Sequence, residues 1–123
     1  MSVRNRPFLL KPAAKDYLWG GTRLNEDFNF NINIQPFAEA WVCSTHSDGE
    51  SVTDSGETLS SILKSHPEYL GSHAEAVAGG EFPILVKLID AKEDLSLQVH
   101  PDDDYAKQNG YTVISEYIDR AIS

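Results

Sequence analysis

The sequence predicts a mainly β fold decorated by short helices, and three stretches of the 123-residue chain carry this prediction. Residues 82–89 form a nearly continuous apolar run broken by Lys87, which is typical of a buried strand. Residues 95–100 alternate strictly between apolar and polar side chains, as in a strand with one buried face. Residues 58–66 repeat apolar side chains at helical spacing. This order of elements fits neither a helical bundle nor a doubly wound sheet.

The first half of the chain contributes short elements and turns. Residues 6–12 predict an extended segment bounded by two prolines, and residues 16–21 form an aromatic stretch closed by a glycine pair that permits unusual backbone conformations. Residues 38–44 predict a short strand, followed by a turn at residues 45–50. Thr58 is placed to cap the helix that comes next.

The second half adds the two strongest strand signals and a tail. A polar connection joins the strand predicted at 82–89 to the one at 95–100, which Pro101 ends because proline lacks a ladder donor. Apolar residues then recur at helical spacing in residues 111–123. We therefore predict a main unit at residues 1–110 and a divergent helical tail.

Composition narrows the class of partner. The formal net charge of −9 would repel a phosphate backbone, which argues against nucleic acid, while a local cluster of donors can still bind a small anion.

Cys43 is the only cysteine, so no internal disulfide can form, as is usual in a reducing compartment. No window approaches the roughly 20 apolar residues of a membrane helix. The three apolar residues at 8–10 are too few for a signal peptide. A cytoplasmic location is the simplest prediction.

The strongest chemical signal lies in the stretch SLQVHPDD at residues 96–103. Alternate side chains of a strand lie roughly 6 to 7 Å apart on one face, so Gln98 and His100 can reach one common point. Imidazole nitrogen and amide oxygen suit a divalent metal ion such as zinc. The alternative is a solvent-facing polar side of a half-buried strand, and spacing alone favours that alternative.

The wider sequence resembles the type I mannose-6-phosphate isomerases, which are cupins. The stretches that carry this resemblance are PILVKLID at 83–90, LSLQVHPD at 95–102, WGG at 19–21, AEAW at 38–41 and STH at 44–46. It covers about residues 7–110, and its residues most resemble those of the short bacterial branch of the family. The resemblance implies a partial cupin or jelly-roll β-barrel, of which this chain forms the N-terminal half.

The resemblance also implies an activity and a cofactor. The family interconverts mannose 6-phosphate and fructose 6-phosphate through a cis-enediol, whose developing charge a zinc ion stabilises as a Lewis acid. By position, His100 is a zinc ligand and Gln98 takes the neighbouring ligand position. Lys87 and Ser96 face the sugar phosphate, for which lysine is a suitable point charge.

Two further positions match the neighbourhood of the family's pocket. Trp19 and Glu39 are candidate substrate-binding residues on this ground. Core packing stays open as an alternative for Trp19, and a role as a strand-edge carboxylate stays open for Glu39. His46 is interpreted as a hydrogen-bonding turn residue, and Cys43 as a small buried apolar side chain.

After Gly110 the motif resemblance ends. The family's GKTExWY segment, whose Glu binds the metal, is not present, and Glu116 lies in its neighbourhood without the motif. The further His ligand and the catalytic Arg would fall after residue 123. A truncated or frameshifted reading frame and a genuine variant are both compatible with this tail.

Two functions from different classes therefore stay open. The first is a mannose-6-phosphate isomerase represented by its N-terminal part, which we expect to bind zinc weakly and not to catalyse by itself. The second is a non-catalytic cupin-derived fragment that binds a ligand or partner. Half a barrel leaves unpaired strand edges, which invite self-association.

Overall fold

A computed structural model describes residues 6–72, 82–97, 99, 101–110 and 115–117 and confirms a mainly β fold with short helices. The described strands are β1 (Ala13–Lys15), β2 (Glu39–Cys43), β3 (Ile84–Ile89) and β4 (Ser115–Tyr117). They form one sheet in the order β1-β2-β3-β4. The pairs β1–β2 and β2–β3 are antiparallel, whereas β4 pairs with β3 in parallel.

Short helices surround the sheet. They are α1 (Arg23–Phe28), α2 (Leu59–Ser65), a 3₁₀-helix (Pro67–Leu70) and α3 (Asp103–Gln108). As predicted, Thr58 caps α2 by accepting a hydrogen bond from the Ser61 amide at 3.2 Å. Asp102 caps α3 by accepting one from the Tyr105 amide at 2.8 Å. Among the described residues, no helix has the length and apolar character to cross a membrane.

Alternation along β2 gives the sheet an apolar core face and a polar face. The core face carries Ala40, which packs in a buried cluster with Leu24 of α1 and with Phe37. Partly buried apolar side chains complete this cluster: Ala14, Phe30, Ile32, Ile34, Val42 and Leu88. The opposite face carries Glu39 and Trp41. Because Ala40 packs in the core, the alternate residues Glu39 and Trp41 of β2 must lie on the opposite face of the sheet.

The glycine pair Gly20–Gly21 lies where three backbone segments meet. Gly20 forms a bridge with Ala91, and Gly21 forms one with Phe37. A Cβ atom at Gly20 would lie 2.5 Å from the Cα atom of Ala38. Neither glycine has a positive φ, so the pair is required for close approach of the backbones and not, as the sequence suggested, for an unusual backbone conformation.

Replacing Gly20 with Ala is therefore expected to lower the free energy of unfolding by about 1 to 3 kcal/mol, because overpacking forces the backbone apart. Urea unfolding followed by circular dichroism measures the change. Ser47→Ala, at an exposed turn position, is the control and should stay within about 0.5 kcal/mol of the parent. Equal unfolding midpoints for Gly20→Ala and Ser47→Ala would contradict the close-approach argument.

The strand predicted at 95–100 is not formed by the described residues 95–97 and 99. Leu97 and Val99, which the alternation predicts to share the apolar face of a strand, are 98% and 94% exposed. An alternating sequence becomes a strand only where a neighbour completes its ladder and another layer covers its apolar face. No such cover lies on these two side chains within the described part of the chain. Gln98 and His100 lie outside the described residues.

The helix predicted for residues 111–123 is wrong at Ser115–Tyr117, which form strand β4. This strand pairs with Ile84–Val86 of β3. The backbone N–H and C=O groups on the edge of β3 that faces β4 require hydrogen-bond partners. Pairing with this edge outweighs the helical preference that the spacing of apolar residues indicates. The other residues of the predicted tail lie outside the described residues, and the division after residue 110 stays a prediction.

Candidate functional site

The polar face of the sheet brings Glu39 of β2 next to Lys87 of β3. The Nζ atom of Lys87 lies 3.8 Å from the Oε2 atom of Glu39, and the two side chains are 14% and 9% exposed. Lys87 lies opposite Trp41, and Glu39 lies opposite Ile89, so the pair are diagonal neighbours on one face. Two residues predicted to face a substrate therefore form an enclosed ion pair.

Trp41 connects to both members of this pair. Its indole Nε1–H donates a hydrogen bond of 2.7 Å to the Oε2 atom of Glu39, the same atom that lies near Lys87. The Nζ atoms of Lys15 and Lys87 lie 4.5 and 5.8 Å from the centre of the indole ring. Both distances are in the range of cation–π attraction. Glu39, Trp41, Lys15 and Lys87 together form what we call the Trp41 cluster.

The turn that follows β2 covers the indole ring. The Lys15 ammonium donates a hydrogen bond to the backbone oxygen of Asp48. The His46 ring meets the Trp41 ring edge-on, with centroids 5.7 Å apart. A Cβ atom at Gly49 would lie 2.9 Å from the indole. The Asp48 amide donates to Nδ1 of His46 at 3.1 Å, which confirms His46 as a hydrogen-bonding turn residue.

Two aromatic rings extend the polar face beyond β1. Tyr17 and Trp19 stack with their centroids 5.6 Å apart. Burial raises the pKa of Tyr17, and the negative charges of Glu39, Asp48 and Asp16 raise it further. The Tyr17 hydroxyl therefore stays protonated at neutral pH. Trp19 is half-buried, and its backbone oxygen accepts hydrogen bonds of 2.9 and 3.0 Å from the Lys92 and Glu93 amides.

The predicted metal site stays a prediction. Its two ligands, Gln98 and His100, lie outside the described residues. Among the residues that the structure describes, no group of three or more His, Cys, Asp or Glu side chains could hold a metal ion. Ser96, predicted to face the sugar phosphate, lies exposed in the irregular segment after β3.

Cys43 offers no nucleophile to this site. The side chain is half-buried at the end of β2. Burial raises the pKa of its thiol, so it stays protonated at neutral pH. The protonated thiol agrees with the interpretation of Cys43 as a small apolar side chain, although the side chain is half-buried and not buried as predicted.

Trp41 and Lys15 are the residues of the site that the sequence analysis did not select. A signal for Trp41 exists, because Glu39 and Trp41 are two residues apart in a predicted strand and must share a face. For Lys15 the local sequence holds no such signal. Its place depends on the register of β1 against β2, in which Lys15 lies opposite Glu39.

Comparison with known proteins extends over most of the chain. The family model for phosphomannose isomerase type I, catalytic domain, matches residues 8–121. This match continues past residue 110, where the motif resemblance ends. It includes all the described strands and helices.

Relatives with this similarity occur in bacteria. The GmuF protein of Bacillus subtilis, described as a probable mannose-6-phosphate isomerase, is 46% identical over 110 residues, covering 85% of this chain and 34% of GmuF. The mannose-6-phosphate isomerase ManA of the same organism is 40% identical over 114 residues, covering 88% of this chain and 35% of ManA. The chain therefore spans about a third of the length of these relatives.

A solved structure has the same fold. The crystal structure of the mannose 6-phosphate isomerase from Bacillus subtilis matches with a TM-score of 0.73 and 40% sequence identity, covering 85% of this chain and 33% of that one. This likeness confirms the predicted fold class, a part of a cupin β-barrel with short helices.

Proposed function

The chain belongs to the type I phosphomannose isomerase family, and from this membership we propose that it is the N-terminal part of a mannose-6-phosphate isomerase. Such an enzyme interconverts mannose 6-phosphate and fructose 6-phosphate. One observation carries the proposal beyond family membership. The Lys87 ammonium lies enclosed on the polar face of the sheet, next to the Glu39 carboxylate, at a position that the family resemblance assigns to phosphate binding.

Lys87 supplies the positive charge that a sugar phosphate requires. The whole chain carries a formal net charge of −9, so binding of an anion depends on a local concentration of cations. Lys15 and Lys87 contribute two cations near one indole ring, at 4.5 and 5.8 Å from its centre, and Glu39 offsets one of these charges. A lysine ammonium is a compact point charge with rotatable donors, which suits a phosphate group.

The sugar itself would meet the aromatic side of the same face. The stacked rings of Tyr17 and Trp19 offer a flat surface with an apolar body and polar atoms at its edge, as carbohydrate ligands require. The protonated Tyr17 hydroxyl can donate a hydrogen bond. Ser96 adds a hydroxyl that can both donate and accept.

Zinc is part of the proposal through Gln98 and His100. The chemistry of this donor pair suits zinc, and the family resemblance supports both side chains as candidate ligands. When bound, zinc would supply Lewis-acid stabilisation of the enediolate. The other roles proposed here do not depend on the position of the metal. A cytoplasmic location stays a prediction from the sequence alone.

The test is a hybrid in which residues 1–123 replace the matching segment of Bacillus subtilis ManA. We expect the hybrid to convert mannose 6-phosphate to fructose 6-phosphate in a coupled assay. Lys87→Met should lower kcat/KM by about a hundredfold, because it removes a preorganised charge from the substrate site. Lys11→Met is the control, since the Lys11 side chain is 63% exposed and pairs with Asp54. It should leave kcat/KM unchanged.

Two outcomes would oppose the proposal. A folded hybrid without isomerase activity would favour the alternative, a non-catalytic cupin-derived fragment. An active hybrid whose kcat/KM does not change with Lys87→Met would remove Lys87 from the substrate site.

A further inference from the structure

The Glu39 carboxylate has little access to water and depends on protein donors. The side chain is 9% exposed, and an ionised group at such a position requires hydrogen bonds or an opposite charge. Its Oε2 atom accepts the indole hydrogen bond of Trp41 at 2.7 Å and lies 3.8 Å from the Lys87 ammonium. The shorter, direct contact is the one to Trp41. The position of the carboxylate is therefore set first by the indole.

The indole is itself held from several sides. Trp41 is 7% exposed. Lys15 lies on its ring while donating to the turn at Asp48, and His46 packs against its edge. A side chain enclosed in this way keeps one rotamer. Its N–H direction is therefore fixed before any ligand arrives.

We propose that Trp41 is a positioning residue for the phosphate site: its indole N–H fixes the Glu39 carboxylate, and Glu39 in turn holds the Lys87 ammonium where a sugar phosphate binds. This inference rests on the proposed function. Trp41 acts through Glu39 and need not touch the sugar. The contacts form a chain that begins at the turn covering the indole and continues through Trp41 and Glu39 to Lys87. This chain connects a rigid part of the fold to the positive charge that binds the ligand.

A purely structural role for Trp41 makes a different prediction. If Trp41 only fills space, a ring of similar shape should replace it without loss of ligand binding. Trp41→Phe keeps an aromatic ring and removes the N–H. Benzothienylalanine at position 41 keeps the size of the indole and removes the N–H alone. This second variant separates loss of the donor from loss of packing, even where Trp41→Phe fails to fold.

The experiment is a double-mutant cycle on the full 123-residue chain, read as the dissociation constant for mannose 6-phosphate. Loss of the N–H should weaken binding about tenfold, the usual effect of removing one hydrogen bond to a charged group. In the Glu39→Gln background, where the charge that connects Trp41 to Lys87 is gone, the same change should cost less than about twofold. A tenfold loss in both backgrounds, or no loss in either, overturns the inference.

A second readout is independent of the sugar phosphate. The rate of Lys87 acetylation, measured by mass spectrometry, should rise severalfold when the indole N–H is removed, with acetylation of Lys11 as the internal control. If the chain by itself binds no mannose 6-phosphate, the double-mutant cycle is read in the hybrid with ManA, whose isomerase activity tests the proposed function separately, and the acetylation rates still decide the role of Trp41. Unchanged acetylation of Lys87 would overturn it.

Discussion

Replacing Phe37 with Ala is expected to lower the free energy of unfolding by about 3 to 5 kcal/mol, the usual cost of removing a buried phenyl ring. Phe37 is 0% exposed and belongs to the buried cluster with Leu24 and Ala40. Its ring lies 6.1 Å from that of Phe30. Since the backbone hydrogen bond from the Phe37 amide to Gly21 survives the substitution, the loss is one of packing.

Urea unfolding followed by circular dichroism measures this loss. Native domains have a total stability of about 5 to 15 kcal/mol, so the loss is a large fraction of that total and the urea midpoint should fall clearly. Phe28→Ala is the matched control, because Phe28 is 41% exposed although its ring also stacks on Phe30. It should cost less than about 1 kcal/mol. Equal losses for the two variants would show that the core does not lie where the structure places it.

The elements that local sequence determines were predicted well. The strands expected at 38–44 and 82–89 are observed as Glu39–Cys43 and Ile84–Ile89. The helix expected at 58–66 is observed as Leu59–Ser65. In each case the period of apolar residues and a cap or a turn residue agree, so the sequence within a few positions is sufficient.

The elements that depend on distant partners were not predictable in the same way. Residues 95–100 have a clear strand pattern, yet the described ones form no strand, because ladder partners and a covering layer come from elsewhere in a fold. Ser115–Tyr117 show the reverse. Their apolar residues recur at helical spacing, yet they pair with β3 as a strand. No pattern within the segment itself predicts this pairing.

The residues of the candidate site also fall into two groups, those that the sequence identified and one that depends on strand register. Lys87 and Glu39 were selected through family resemblance, and the structure brings them within 3.8 Å. Lys15 was missed because its contact with Trp41 depends on the registers of β1 and β2, and register is fixed by packing across the whole sheet. A one-residue shift would move Lys15 to the core face. Sequence alone therefore finds which residues carry charge but not which of them meet.

Replacing Glu39 with Leu is expected to destabilise the chain by about 3 kcal/mol, because it removes an enclosed carboxylate that both Lys87 and Trp41 contact. The Lys87 ammonium, 14% exposed, loses its carboxylate partner. The Trp41 N–H loses the acceptor at 2.7 Å. Unfolding in urea measures the change.

The double variant Glu39→Leu with Lys87→Met separates stability from function. Two apolar side chains of similar length can pack on this face, and exchange of a buried ion pair for apolar residues is often neutral or stabilising. We therefore expect the second substitution to recover most of the loss from Glu39→Leu. Failure to recover it would mean that Lys87 contributes to folding by other contacts. Recovery of stability, together with loss of mannose 6-phosphate binding, would mean that the fold does not require the ion pair and that the pair of charged side chains serves the ligand.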